Sequence, residues 1–185
     1  MKTSVKVALG VSLIWIIISL TMFLLGYSRE FFTMGILLNI FLLMAAISYG
    51  YYLTKKEKDF AKTIFLDDFK IAMQSGLMYT IVVSGFTYLY HETIDTSIKD
   101  ALVESRIELL HETYPDEAAF QKLQETEVQW KDKNYDVYIE EQEDYIRGII
   151  SSFSVFIFHL MGLFIFAMFF SIFGTVIIRK VILRE

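Results

Sequence analysis

The sequence predicts an all-α membrane protein with four transmembrane helices and an external acidic helical region between the third and fourth. Two observations indicate this class. Of the 185 residues, 55% are hydrophobic, which exceeds the roughly 45–50% of an ordinary soluble domain. Four long intervals also contain no Asp, Glu, Lys or Arg, and each reaches the roughly 18–20 residues with which a helix crosses a bilayer. A soluble fold would leave four such helices with almost nothing to cover them.

The first two spans are predicted at residues 5–27 and 31–53. Only three residues, Ser28, Arg29 and Glu30, join them, so the second helix must return directly as an antiparallel hairpin. The first apolar stretch is longer than the core of a signal peptide and lacks a small-residue cleavage pattern. We therefore expect an uncleaved anchor.

A lysine-rich joint leads to the third span, predicted at residues 71–90. In the joint we expect a short interfacial helix with Phe60, Ile64 and Phe65 on one side and the lysines toward water. Small and hydroxyl residues then form a stripe along the third span, and such a stripe favours close contact between helices over a pore lining. The stripe consists of Met73, Gly76, Thr80, Ser84 and Thr87.

Region 91–147 is strongly acidic. It contains sixteen acidic and six basic residues, a net charge of −10 that leaves +5 for the rest of the chain. Apolar residues at helical spacing predict helices here rather than disorder. A new helix is expected to start around Thr113–Asp116, with Thr113 as its cap. The last helix is expected to begin outside the membrane near Asn134 and to cross it at residues 148–178.

The distribution of Lys and Arg predicts the orientation of the spans, because these residues accumulate on the cytoplasmic side. Both chain ends and the lysine-rich joint are basic, whereas the opposite side holds Arg29 and the acidic region. We therefore expect a multi-pass protein of the bacterial inner membrane, with cytoplasmic N and C termini and an external region 91–147. In domain terms this is a single membrane domain, 1–185, with region 91–147 as an insertion.

Five polar residues within the spans are candidates for an intramembrane site: His159, Asn39, Gln74, Thr80 and Ser84. Ionisable residues within a membrane often belong to proton relays or ligand sites. His159 has no second Asp, Glu, Lys or Arg at its depth, however. A neutral histidine that hydrogen-bonds a neighbouring helix is the favoured interpretation, and Asn39 and Gln74 are also expected to bond between helices.

Four carboxylates are crowded just before the last span: Glu140, Glu141, Glu143 and Asp144. They are candidates for contact with a basic partner, such as another envelope protein. A second copy of the chain is the other possible partner. The simplest interpretation of such a charged run is a solvated helix face.

Reactive motifs are missing from the sequence. The absence of cysteine excludes disulfides, thiolate metal sites and cysteine nucleophiles. The stretch His-Glu-Thr-Ile-Asp at 91–95 begins like a zinc helix but has Asp at the position of the second histidine, so it favours an ordinary helix start. We predict no catalytic, cofactor-binding or metal residue, no enzymatic activity and no nucleic-acid binding. The bilayer itself is the first expected partner.

Two segments carry a resemblance to a known family: FLDDFKIAMQSGLMYTIVVSGFTYLYHETID at 65–95 and GLFIFAMFFSIFGTVIIRK at 162–180. With them, the chain resembles the small bacterial membrane proteins grouped as domain of unknown function 4199 (DUF4199). The resemblance covers nearly the whole chain in layout, with four spans and a polar region between the third and fourth. It implies a membrane protein of unknown function and carries over no catalytic residue.

Two functional hypotheses follow from the sequence. The first is a non-enzymatic accessory or assembly protein that contacts another envelope component through its external acidic helices. The second is a small transporter or channel that uses His159 and the polar stripe of the third span. A transporter should gather polar groups at one depth, and this chain gathers few.

Overall fold

The computed structural model describes residues 1–61 and 63–181, apart from the side chain of Val128. The described chain is all-α and 87% helical. A π-helical turn, Tyr90–Ile94, precedes α4, and a 3-10 turn, Val128–Trp130, precedes α6. The seven α-helices of the described residues are α1 (Thr3–Leu24), α2 (Ser28–Lys56), α3 (Phe65–Leu89), α4 (Ser97–Thr113), α5 (Glu117–Thr126), α6 (Tyr135–Ile149) and α7 (Ser152–Val181).

Three helices, α1, α2 and α7, are long and apolar enough to cross a membrane, judged by length and composition. Helix α3 has 25 residues but is not among these three. Its apolar residues are diluted by polar and small ones such as Gln74, Ser75 and Gly76. Length and composition therefore support three of the four predicted spans.

The chain divides into two compact units. The first, called the apolar unit, comprises Met1–Leu89 and the chain from Phe156 onward. Residues from all four of its helices are buried together in its core. They include Ala8 of α1, Leu43, Ile47 and Tyr51 of α2, Tyr79 and Val83 of α3, and Leu163 and Ala167 of α7.

Small residues bring the helices of the apolar unit close together. A Cβ atom added to Gly76 would lie 3.0 Å from the Cβ of Ala167 and 3.0 Å from the Cδ1 of Ile47. Gly76 therefore lets α3 contact both α2 and α7 closely, which confirms the predicted helix-contact role of the stripe at this residue. Nearby, the hydroxyl of Ser75 donates to the carbonyl oxygen of Ala46 at 2.7 Å and lies 3.1 Å from that of Ser4.

The second unit, called the acidic unit, comprises Tyr90–Val155. Its core is aromatic: Phe120 is 1% exposed and its ring stacks on that of Tyr138, with 4.8 Å between centroids. Trp130 and Tyr114 meet the Tyr138 ring edge-on. Burial, with a smaller effect of Tyr114, raises the pKa of Tyr138 to about 12, so the phenol stays neutral in this apolar environment.

Helix boundaries in the acidic unit differ in detail from the predictions. The cap of α5 is Asp116, which accepts from the N–H of Ala119 at 2.8 Å, and not Thr113, which lies in α4. The predicted helix start near Asn134 is confirmed, because Asn134 caps α6 by accepting from the N–H of Val137 at 2.8 Å. The helix is not continuous, however, and α7 starts separately at Ser152.

The predicted interfacial helix in the lysine-rich joint is wrong. Residues 57–60 form turns, and Ala61, Thr63 and Ile64 have no regular secondary structure. Asp59 and Phe60 have positive φ angles of 48° and 53°, which end any helical run. Ile64 and Phe65 are exposed. Lys55 was expected to face water but is buried, because its ammonium pairs with the buried carboxylate of Asp68.

Candidate functional site

A polar cluster joins three helices inside the apolar unit. The hydroxyl of Tyr79 on α3 donates to the Oδ1 of Asn39 on α2 at 2.6 Å. The Nδ2 of Asn39 lies 2.9 Å from the Nε2 of His159 on α7. Asn39 and Tyr79 are buried, and an amide N–H needs an acceptor there, so this His159 nitrogen acts as the acceptor and carries no proton. The arrangement is that of interhelical hydrogen bonds.

The remaining intramembrane candidates make no hydrogen bond to this cluster within the described residues. The hydroxyl oxygens of Thr80 and Ser84 are buried and make no hydrogen bond within the described part of the chain. Gln74 is half-buried near the beginning of α3, where its Oε1 accepts from the Nζ of Lys2 at 3.4 Å. The structure thus brings together Asn39 and His159 but not Gln74.

A buried ionic cluster lies at the end of the apolar unit where α2 ends and α3 begins. The side chain of Asp68 is 0% exposed and that of Lys55 is 1% exposed, with 2.9 Å between Nζ and Oδ1. The guanidinium of Arg179, on α7, donates to the Oδ2 of Asp68 at 2.8 Å. Thr63 completes the cluster, because its hydroxyl accepts from Lys55 at 2.6 Å and donates to Asp68 at 2.6 Å.

The partners of Asp68 keep it charged. Burial by itself raises the pKa of this carboxyl, but the hydrogen bonds from Lys55 and Thr63 and the charge of Lys55 outweigh burial, so the pKa of Asp68 lies below its ordinary value. A buried carboxylate with several donors is expected to behave in this way. Asp68 is therefore ionised near neutral pH, and its two ion pairs, together with Thr63, connect the joint to α2, α3 and α7.

The acidic unit uses two of its four candidate carboxylates internally. Glu143 lies 2.9 Å from the Nε2 of His111 on α4 and 3.5 Å from a guanidinium nitrogen of Arg147. Glu141 pairs with Lys133, whose ammonium also lies 5.3 Å from the centre of the Trp130 ring. These contacts hold α6 to its neighbours.

Glu140 and Asp144 form the exposed remainder of the candidate face on α6. They lie four residues apart, on the same side of the helix, and neither makes an ion pair in the described ranges. We call this pair the outer carboxylates. They are the candidate partner residues that the structure leaves available.

A cleft of about 900 Å³ also opens on the acidic unit. Acidic residues dominate its lining, with Glu92, Asp100, Glu104 and Glu108 against Lys99 and Arg147. The cleft adds to the negative surface of this unit.

The His-Glu-Thr-Ile-Asp stretch was expected to begin a helix, but its first four residues lie in the π-helical turn that directly follows α3, and α4 begins at Ser97. Asp95 accepts from the backbone N–H of Ser97 at 3.2 Å, at the beginning of α4. Burial lowers the pKa of His91, although Asp95 partly opposes the shift, so the imidazole is neutral near pH 7. Within the described residues, no group of three His, Asp or Glu side chains is placed to hold a metal ion.

A known protein family matches nearly the whole chain. Residues 6–180 match the model of a family described as "Protein of unknown function (DUF4199)". The chain belongs to the DUF4199 family. No curated protein and no solved structure matches it.

Since no solved structure matches this DUF4199 chain, the polar contacts in its apolar unit are described from its own structure. Sequence reasoning missed Tyr79, since a tyrosine in an apolar stretch looks like any other aromatic core residue. It also missed the cluster of Lys55, Asp68 and Arg179. A signal was present, because Lys55 and Arg179 are each the first charged residue after an uncharged interval, and α2 and α7 run in the same direction, so both intervals end at the same level.

Proposed function

We propose that the apolar unit crosses the membrane as a four-helix bundle in which α3 is the fourth span. Its support comes from where the side chains of α3 lie. The polar side of α3 is buried, with Ser75, Thr80 and Ser84 all 0% exposed, whereas Leu77, Ile81 and Leu89 are exposed. A helix that turns polar groups inward and apolar groups outward suits a lipid environment.

The proposed orientation has the buried ionic cluster at the cytoplasmic end. The start of α1 and the joint after α2 share this end, since the hydroxyl of Thr3 donates to the carboxylate of Glu57 at 2.6 Å. Most Lys and Arg residues outside the acidic unit lie here, in the arrangement favoured for the cytoplasmic side. The acidic unit is inserted in the chain between the other ends of α3 and α7, and the proposal makes it external, in the bacterial inner membrane.

We infer that the protein is a non-enzymatic accessory or assembly protein whose acidic unit binds a basic surface of another envelope protein. The observation that carries this proposal is the compact fold of the acidic unit around Phe120 and Tyr138 with the outer carboxylates, Glu140 and Asp144, left exposed. Negative potential on a folded surface steers partners of opposite charge and fixes their orientation.

Affinity purification of the full chain in mild detergent tests the partner role. The variant E140K/D144K reverses the sign of the charge at the outer carboxylates. The control variant E112K/E125K makes the same charge change at exposed positions elsewhere in the acidic unit. A co-purifying protein that is lost only with E140K/D144K supports the proposal. If both variants keep it, or both lose it, the outer carboxylates are not the contact. A larger particle that contains only this chain would identify the partner as a second copy.

The second candidate function is a small transporter or channel. Two observations favour it: the Asn39–His159 contact at 2.9 Å, and the buried hydroxyls of Thr80 and Ser84, which lack hydrogen bonds in the described residues. Intramembrane polar groups of this kind mark solute pathways in other proteins. Proteoliposomes that show a flux abolished by His159→Ala support it. The absence of any flux of protons, metal ions or small solutes above empty vesicles excludes it.

A further inference from the structure

A second cavity, of about 500 Å³, lies in the apolar unit beside the buried ionic cluster. It is bounded by the start of α1, the end of α2 and the start of α3, and its size falls in the range of roughly 300–1,000 Å³ usual for small-ligand sites. We call it the basic cavity. The lining residues that matter here are Lys2, Lys58 and Lys70, the acidic Glu57 and Asp67, and Ser4.

The charges of this lining are unbalanced toward positive. Neither Lys2 nor Lys58 makes an ion pair in the part of the chain that the structure describes. Asp67 lies 3.7 Å from the Nζ of Lys70, and Glu57 accepts from the hydroxyl of Thr3 at 2.6 and 2.7 Å but keeps its negative charge. The two ammonium groups of Lys2 and Lys58 therefore outnumber the one carboxylate of the lining that makes no ion pair in the described residues.

The wall of the basic cavity is fixed by the cluster beneath it. Lys55 and Thr63 also line the cavity, and Lys55 is held by the carbonyl of Ala61 at 2.9 Å as well as by Thr63 and Asp68. A site whose walls are already ordered loses less entropy when a ligand binds. The hydroxyl oxygen of Ser4 is buried without a hydrogen bond in the described residues, and a rotation of this side chain would add a donor.

We propose that the basic cavity binds a phosphate group. Flexible lysines bind phosphate as point charges, and basic pockets between transmembrane helices on the cytoplasmic side accept anionic lipid headgroups. The same chemistry is offered by the headgroup of a phospholipid and by soluble phosphate. The proposal rests on membrane insertion of the apolar unit and not on any partner of the acidic unit, so a failed partner purification leaves it intact.

Two matched triple variants distinguish binding in the basic cavity from general attraction to the positive charge of this end. K2Q/K58Q/K70Q removes three lining lysines, and K6Q/K56Q/K180Q removes three exposed lysines outside the lining on the same basic end. The full chain is placed in phosphatidylcholine nanodiscs that contain a minor fraction of phosphatidylglycerol, and native mass spectrometry measures the phosphatidylglycerol that stays bound. We expect the cavity variant to bind it about tenfold more weakly, which corresponds to about 1.4 kcal/mol for the three lysines together, and the control variant to bind nearly as the original chain does.

A second arm separates the two sources of phosphate. Inorganic phosphate is titrated into the full chain in a neutral detergent, with chloride at equal ionic strength as the control, and thermal unfolding is followed. Stabilisation that the cavity variant lacks identifies soluble phosphate as the ligand. Retention of phosphatidylglycerol without this stabilisation identifies the lipid.

Other outcomes overturn the proposal. Equal losses in the two triple variants would show diffuse attraction to the basic end, and no specific binding in either arm would show that the cavity takes no phosphate. If K2Q/K58Q/K70Q does not fold, the single variant K58Q is measured in its place, and K56Q is its control. Lys58 lies in an exposed turn outside the helices, so K58Q should fold. An unchanged affinity of K58Q for both probes then counts against the site.

Discussion

At the scale of single residues, the apolar unit depends on a few polar side chains that are buried only because they are paired. Asp68 receives hydrogen bonds from Lys55, Thr63 and Arg179. Taking charges out of water is costly, and the loss of one member of a buried pair leaves the others without compensation. Substitution of any one of these residues should therefore lower the free energy of unfolding by more than substitution of an exposed polar residue would.

Asp68→Asn should lower the free energy of unfolding by about 3 kcal/mol, since it leaves buried Lys55 without its carboxylate. Unfolding in detergent measures this change, and Asp67→Asn, at an exposed neighbouring carboxylate, is the control. The pKa of Asp68 is lowered in the folded protein, so its stabilisation is complete above the unfolded pKa of about 3.9 and is lost as the pH falls through the folded value. The difference between the original chain and Asp68→Asn should therefore shrink below about pH 4. Equal stability of the two variants would contradict the role of the cluster.

Tyr79→Phe should destabilise the apolar unit by about 1 kcal/mol, because it removes the hydrogen bond between α2 and α3. Asn39→Leu removes the same bond and also the contact with His159, so it should cost more. The double variant should lose less than the sum, with a coupling of about 0.5–1 kcal/mol. Unfolding of all four proteins in detergent measures the cycle. Tyr88→Phe on the same helix is the control, and strictly additive effects would show that the two side chains act independently.

At the scale of helices, close approach depends on particular glycines. Gly76 has Ala167 and Ile47 within 3.0 Å of the position of an added Cβ, whereas Gly85 on the same helix has nothing within 4 Å. The two glycines share a backbone conformation and differ in what faces them. Contact between helices in lipid relies on such small residues, since the hydrophobic effect does not drive it.

Gly76→Val should therefore destabilise the apolar unit by about 1–3 kcal/mol, since α3 must move away from α2 and α7. Gly85→Val adds the same side chain in open space and serves as the matched control. Thermal unfolding of both variants in the same detergent gives the comparison. If the two variants lose equal stability, helix propensity and not contact between helices is responsible.

In the acidic unit the corresponding element is the aromatic core between α5 and α6. Phe120→Ala should cost about 3–5 kcal/mol, because it removes a fully buried ring from a small core. Hydrogen exchange of the full chain should then show faster exchange of amides in α5 and α6. Val137→Ala, at an exposed position on α6, should leave the exchange unchanged. Unchanged protection in Phe120→Ala would mean that the core lies elsewhere.

At the scale of the whole molecule, the number of spans decides on which side the acidic unit lies. With α3 as a span, the joint after α2 and the acidic unit face opposite sides of the membrane; with three spans they share one side. The chain has no cysteine, so single cysteines can be placed without background. This makes the topology directly measurable.

We expect Glu140→Cys to react with a membrane-impermeant maleimide in intact bacterial spheroplasts, and Lys56→Cys to react only after lysis. Arg29→Cys, between α1 and α2, should react from outside like Glu140→Cys. The physical reason is that basic segments stay in the cytoplasm during insertion. Reaction of Lys56→Cys and Glu140→Cys from the same side would exclude α3 as a span.

Much of the architecture can be predicted from the sequence, and particular residues show why. Uncharged intervals predicted the apolar helices, and the helix start at Asn134 was visible because capping is a local interaction. Asn39 and His159 were each identifiable as candidates for a hydrogen bond between helices, since an amide or imidazole in an apolar stretch needs a partner, but the sequence did not pair them with each other. The break between α6 and α7 was not visible, because apolar residues continue across it at helical spacing.

The sequence by itself determined the helical class, the apolar stretches and the separation of charge, because transfer from water depends on which residues follow one another along the chain. Only the tertiary structure decided which polar groups meet. Asp68 and Arg179 are 111 positions apart, and Lys55 is buried although its surroundings in the sequence are those of an exposed lysine. Such contacts depend on how each helix is rotated about its axis, and close contacts such as those of Gly76 and Ser75 fix that rotation.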